Sequence, residues 1–232
     1  MTQLNNQTLA SLNGKLPIPA YRLGEHKPQI GIVHLGPGAF FRGHQAWYTE
    51  QALQFGGDWA ISAVSMRSPD VSQALSPQDG LYTLAVLDAV QSYQVIGSVQ
   101  EVLIASEQYG QVLARLTAAS TKYVTLTITE KGYCLNGAGK LDLQHADIVH
   151  DLHSFADDSQ PKSAIGLLVK ALQQRFTANV PPFVVISCDN LTDNGHKLKN
   201  ALLTFAAQSA PALANWLEQQ LLSPCTMVDS IT

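Results

Sequence analysis

Charge is scarce in this chain. Only 14% of its 232 residues are Asp, Glu, Lys or Arg, with 14 basic side chains against 18 acidic ones and no basic run anywhere. That argues against nucleic acid as a partner, because no stripe of cations is present to neutralise phosphates. Also missing is any stretch of about 18 uninterrupted apolar residues, which argues against a membrane span. The opening MTQLNNQTLASLNGKLPIPAYRLGEHKP is polar and lacks the basic-then-apolar build of a secretion signal. Cysteine is sparse too. Cys134, Cys188 and Cys225 are widely spaced, offer no C-x-x-C metal pattern, and make a poor disulfide framework by being odd in number. These absences lead to the expectation of a reducing, cytoplasmic setting. Hydrophobic residues, at 46%, suffice for a full core. The low charge further suggests that part of the surface is covered, by another domain or a second subunit.

Residues 1–28 read as an extended lead-in, because Pro17, Pro19 and Pro28 interrupt any helix. Residues 29–232 read as one dinucleotide-binding domain. The apolar run Ile30 to Leu35 predicts a buried strand, residues 39–55 a helix, and Ala60 to Val64 a second strand. Strand, glycine turn, helix and strand in this order make a βαβ unit. Leu81 to Asp88 and Tyr93 to Val99 predict an inserted β-hairpin. Further on, helices are expected over 106–118, 162–176 and 194–207, strands over 123–129 and 182–187, and a last helix ending at 216–222. The fold class is therefore α/β, a doubly wound, mostly parallel, Rossmann-like sheet with helices on both faces.

Gly36-Pro37-Gly38 falls at the first strand-to-helix junction. Glycine permits a positive φ and the close approach of a phosphate to the backbone, while the helix N-terminus presents unpaired N–H groups. Phe40 lies in this turn, and Arg42, about one turn in, could add a side-chain donor. The match to G-x-G-x-x-G is incomplete, since Phe41 occupies the third glycine position. After the second strand the sequence runs Met66-Arg67-Ser68-Pro69-Asp70. Asp70 could take the ribose hydroxyls of NAD, whereas Arg67 could meet the extra phosphate of NADP. The same residues could simply start a helix, with Ser68 as cap and Pro69 in the first turn. His34 reads as a hydrogen-bonded core histidine, and Cys188 as an inert small apolar residue.

Four blocks together resemble one known family. They are Gly31 to Gln45 (GIVHLGPGAFFRGHQ), Leu126 to Tyr133 (LTITEKGY), Ser187 to Leu191 with Asn194-Gly195, and Thr226 to Asp229. In this order they resemble mannitol dehydrogenases and fructuronate reductases, over residues 30–232. The resemblance implies NAD(P)-dependent, metal-independent oxidation of a secondary alcohol on a sugar alcohol or sugar acid. NAD is the expected cofactor and NADP stays open, because Ser68 stands where NAD-preferring members tend to carry an acidic residue. The resemblance also implies that Asn190 holds the substrate oxygen near the nicotinamide, and that Val228 and Asp229 line the substrate site. Asn190 is equally a turn-former and helix cap on its residues alone. Thr129, at the carboxyl end of a strand, joins Gly36, Gly38, Phe40, Arg42 and Asp70 as a candidate for holding the coenzyme.

The family's second, mainly helical domain carries a catalytic lysine in a K-x-x-x-x-N-x-x-H helix, and no such pattern occurs in these 232 residues. The expectation is a coenzyme-binding part that is inactive alone and that pairs with the missing C-terminal domain or self-associates through its docking face. The rival expectation, from another class, is a non-catalytic nucleotide-binding or interaction domain from a truncated gene.

Overall fold

The computed structural model describes residues 3–25, 27–157 and 159–228. The described residues fall into two compact units, one ending at Ala105 and the other starting at Ser106. In the first unit, β1 (Ile30–Leu35), β2 (Ala60–Ser65) and β5 (Val99–Ile104) pair in the order β5-β2-β1, all parallel. Both β1 and β2 are buried almost throughout. Continuous apolar runs, rather than alternation, are what a strand covered on both faces requires. Between β2 and β5, β3 (Tyr82–Val86) and β4 (Ser92–Ile96) form a separate antiparallel pair. The second unit contributes β6 (Tyr123–Leu126) and β7 (Val184–Ser187), again parallel. Parallel strands with helices around them, three in the first unit and two in the second, make a Rossmann-like α/β fold, as the sequence pattern indicates.

Three readings need correction. The helix expected over 39–55 is two helices, α1 (Ala39–Gly43) and α2 (Gln45–Leu53), broken at His44, whose backbone (φ −122°, ψ −84°) is not helical. The lead-in is not extended throughout. It forms 3₁₀ turns at Leu9–Leu12 and Ala20–Arg22, and Leu9 is fully buried with Leu81 and Val95 while Leu4, Leu12, Leu16 and Ile18 pack around them. Glu50 of α2 ties it down further, accepting from Tyr21 Oη at 2.6 Å and from the Gly97 N–H at 2.7 Å. Thirdly, the sequence pattern does not announce strand β5. Gln100 and Glu101 break its apolar pattern, which an edge strand tolerates.

The second unit is built around α7 (Ala164–Thr177), buried on nearly every face. Ser163 caps it, Oγ accepting from the Gly166 N–H at 2.9 Å. The buried Asp151, on α6 (Ala146–His153), accepts from the Lys162 and Ser163 N–H groups and from Ser163 Oγ, and so fixes the approach to that cap. Arg175 is buried yet satisfied, donating to the carbonyls of Leu116, Ala118, Thr121 and Pro181. A buried charge without such partners would cost several kcal/mol. The remaining helices are α3 (Asp70–Leu75), α4 (Tyr109–Thr117), α5 (Thr129–Gly132), α8 (Asn194–Ser209) and α9 (Pro211–Gln220).

Candidate functional site

In the first unit the candidate residues gather at the carboxyl end of β1, the side on which open α/β sheets bind ligands. Gly36 takes φ +91°, a conformation that L side chains rarely adopt, and its N–H donates to the Val64 carbonyl of β2 at 2.9 Å. The chain turns back on itself there, with the Gly38 N–H on the Gly36 carbonyl at 2.7 Å. Gly38 is different. Its φ of −69° suits any residue, and a Cβ built on it would meet only the Gly36 carbonyl oxygen, at 4.0 Å. Nothing in the described packing requires glycine at this position. An open face over Gly38, at the start of α1 and beside its first-turn N–H groups, suits a phosphate lying against the backbone.

Neighbouring side chains hold the turn in shape. Arg42 Nη1 donates to the Pro37 carbonyl at 2.7 Å, so part of the guanidinium braces the loop, and the Arg42 carbonyl accepts from Tyr82 Oη of the hairpin. Phe40 is half-buried and stacks on His44 at 4.9 Å. His34 is fully buried, stacks on Phe41 at 3.7 Å, and donates from Nε2 to the Gly36 carbonyl at 3.2 Å. It is the core histidine that the sequence suggested, and it also orients the glycine turn.

Burial drives the His34 pKa down to about 3, against smaller opposing effects of hydrogen bonds with Gly36 and Gln45. The imidazole is therefore neutral in the fold. Its contribution to stability is complete above the unfolded value near 6.5 and is lost as pH falls from there toward 3, by up to ~1.4 kcal/mol per pH unit. Urea unfolding at pH 7.5 and 4.5 should show a smaller acid loss in His34→Gln than in the parent. An equal loss in both would remove His34 from the account.

Past β2, Ser65 Oγ donates to the Ser68 carbonyl at 2.6 Å, and Ser68 Oγ accepts from the Asp70 N–H at 3.3 Å. Asp70 opens α3 and is exposed, as is Arg67. A helix does start here, but at Asp70, with Pro69 rather than Ser68 in the cap position and no side-chain capping bond.

In the second unit, Asp189, Asn190, Thr226 and Val228 line a cavity of about 470 Å³ beyond the end of β7. Asn190 is exposed on its wall and Val228 is half-buried. Asp229 lies outside the described residues. The sequence reading gave no role to the two side chains that build this place. Asn194 is buried at the start of α8. Its amide N donates to the Ser187 and Asp189 carbonyls and to Thr226 O and Oγ1 within 3.2 Å, while Oδ1 accepts from the Thr226 and Gly195 N–H groups. One amide thus joins the end of β7 to the segment carrying Thr226 and Val228. Asp189 is the other. Its carboxylate accepts from the Ile128 and Thr129 N–H groups and from Tyr133 Oη at 2.6 Å. Tyr133 is buried, and desolvation with the neighbouring carboxylate holds its phenol protonated, so that it donates.

The sequence pattern puts Thr129 at the end of a strand. In fact β6 stops at Leu126, and Thr129 begins the single-turn α5 with φ +64°, an unusual conformation for a β-branched residue. Asp189 holds it there. Cys188 is partly buried, and burial lifts its thiol to about 11, so it stays protonated at neutral pH. The signal that could have exposed Asp189 and Asn194 was their place in the quoted blocks, beside Asn190.

A family model, the mannitol dehydrogenase Rossmann domain, matches residues 30–232. D-mannonate oxidoreductase of Escherichia coli is 39% identical over 95% of this chain and 46% of its own length. Polyol:NADP oxidoreductase of Gluconobacter oxydans is 36% identical over 99% of this chain and 48% of its own length. A solved structure, the Pseudomonas fluorescens mannitol 2-dehydrogenase ternary complex with NAD and D-mannitol, superposes with a TM-score of 0.90. It is 38% identical, over 99% of this chain and 47% of that one. The chain thus spans about half the length of the relatives it matches.

Proposed function

We infer the function from a plain premise: the chain belongs to the mannitol dehydrogenase family, whose Rossmann domain it matches. Residues 29–232 are the coenzyme-binding part of an NAD(P)-dependent oxidoreductase acting on a secondary alcohol of a sugar alcohol or hexuronate. The observation that carries this reading is the turn at Gly36 and Gly38, with one glycine in the left-handed region and the other uncovered before a helix N-terminus. NAD is the coenzyme preferred here, in line with the NAD-bound relative, although the polyol:NADP relative keeps NADP in play.

When bound, the nicotinamide coenzyme supplies the hydride acceptor or donor. This chain's residues do the holding. Gly36, Gly38 and Phe40 shape the turn for the pyrophosphate, Arg42 steadies it, Asp70 takes ribose hydroxyls, and Thr129 borders the coenzyme. Asn190 donates its amide to the substrate oxygen as negative charge develops there, and Val228 and Asp229 line the substrate. The hydroxyl proton needs a base. The K-x-x-x-x-N-x-x-H pattern is absent from these residues, so turnover by the 232-residue chain alone should be lower by several orders of magnitude than that of an enzyme with its general base.

Titration with NADH and with NADPH, followed by nicotinamide fluorescence, tests the reading. Saturable binding is expected, tighter for NADH. Absence of binding for both, in a chain shown to be folded by circular dichroism, would overturn it.

A further inference from the structure

A second cluster of chemistry-bearing side chains lies on the α8 side of the cavity, and the mechanism above does not use it. Asp193, His196 and Cys225 each present a ligand atom, and these atoms all lie within 4.8 Å of one another. All three side chains are exposed, and two of them, Asp193 and Cys225, also line the cavity. Among the described residues this is the one group of its kind. The three come from separate places in the chain: the residue before α8, the first turn of α8, and a segment some thirty positions later.

What sets this cluster apart from a chance meeting of surface groups is the backbone beneath it. Asp193 sits at φ +53°, a left-handed conformation uncommon outside glycine, and its side chain makes no capping bond to the helix that it precedes. Its carboxylate is thus not used for the local purpose an aspartate normally serves there. The Cys225 segment is pressed against α8: a Cβ on Gly195 would fall 2.5 Å from backbone atoms of both Ser223 and Pro224. On the other side of Cys225, Thr226 is clipped to Asn194 through its N–H, carbonyl and hydroxyl. Contacts on both sides therefore fix Cys225 beside Asp193 and His196. A site assembled in advance in this way loses little conformational entropy when an ion enters.

We propose that Asp193, His196 and Cys225 form a binding site for a borderline divalent ion of the zinc type, on the wall of the cavity. One thiolate, one imidazole and one carboxylate make a mixed S, N, O donor set, which suits Zn²⁺ and Co²⁺ far better than Mg²⁺ or Ca²⁺. Ligand atoms about a bound ion at Zn–ligand lengths of about 2.0–2.3 Å lie roughly 3.3–3.8 Å apart, so the side chains need to close only slightly. Three protein donors leave a fourth, tetrahedral position for water. Binding neutralises the charge: Cys225 releases its thiol proton, and the resulting thiolate and carboxylate offset the two positive charges of the ion. The adjoining helix N-terminus opposes a cation but favours both anionic ligands. This site does not depend on coenzyme binding.

Cobalt makes the test direct, because thiolate ligation gives a near-ultraviolet charge-transfer band. Titrating the whole 232-residue chain with Co²⁺ under reducing conditions should raise that band to saturation at one equivalent, and added Zn²⁺ should abolish it. Cys225→Ser should remove the band, and His196→Ala should weaken Co²⁺ binding by more than about tenfold. Cys188→Ser should leave the band unchanged, and circular dichroism should show the Cys225 and His196 variants folded, since these side chains are exposed. Absence of a band, a band that survives Cys225→Ser, or indifference to His196→Ala would each overturn the proposal.

Discussion

Replacing Gly38 by valine should abolish coenzyme binding while leaving the chain folded. At φ −69° the substitution brings no left-handed strain, and the new side chain enters open space, its Cβ 4.0 Å from the Gly36 carbonyl oxygen. Loss of glycine at a helix start costs at most about 1 kcal/mol, so the melting temperature should fall by only a few degrees. The space filled is the space proposed for the pyrophosphate. An affinity loss of about a hundredfold or more, ~2.7 kcal/mol, is expected for NADH in the fluorescence titration. Gly36→Ala should behave the opposite way. Forcing a side chain into φ +91° strains the fold by about 1–2 kcal/mol, so stability and binding should fall together. Undiminished NADH binding by a folded Gly38→Val would place the phosphates elsewhere.

Asn194→Ala should be the most destabilising single change around the cavity. The amide is buried, and its removal takes a partner from three carbonyls, one hydroxyl and two N–H groups at the junction of β7, α8 and the Thr226 segment. Lost hydrogen bonds together with unsatisfied buried groups amount to about 3 kcal/mol. For a chain of this size that is roughly 6–12 °C in melting temperature. Asn194→Asp is the informative companion, because it keeps the acceptor and loses the donors. It should remain strongly destabilised at neutral pH, whereas a change that mattered only for side-chain volume would not. Calorimetry on the three proteins distinguishes these. A drop below about 1 kcal/mol for Asn194→Ala would mean that water takes over the amide's bonds.

The sequence by itself determined the repeating strands and helices. Runs such as Ile30 to Leu35 and Ala60 to Val64 are apolar because strands covered on both faces have no polar side to show. The glycine turn was legible for a similar reason, since Gly36 at φ +91° is a requirement of one backbone position rather than of the surroundings. So was the family, through blocks whose spacing along the chain is itself linear information. The break at His44 and the edge strand β5 were less legible. A helix tolerates His44 as well as it tolerates most residues, and Gln100 and Glu101 only make sense once β5 is known to lie at the sheet edge.

Only the tertiary structure decided which polar residues work on each other. Asp189 adjoins Asn190 in the sequence and Asn194 follows four positions later, and nothing in their identities separates a residue facing the cavity from one that braces it. Asn190 is exposed, whereas Asn194 is buried and joins positions 187, 189 and 226. His34, read correctly as a core residue, proved to orient the Gly36 carbonyl as well. The meeting of Asp193, His196 and Cys225 was invisible for the same reason. Periodicity and glycine conformation are local properties, fixed within a few residues, but a hydrogen bond across thirty or sixty positions exists only when the packed chain brings its members to within about 3 Å, and a ligand set only when it gathers them as closely as the 4.8 Å seen here.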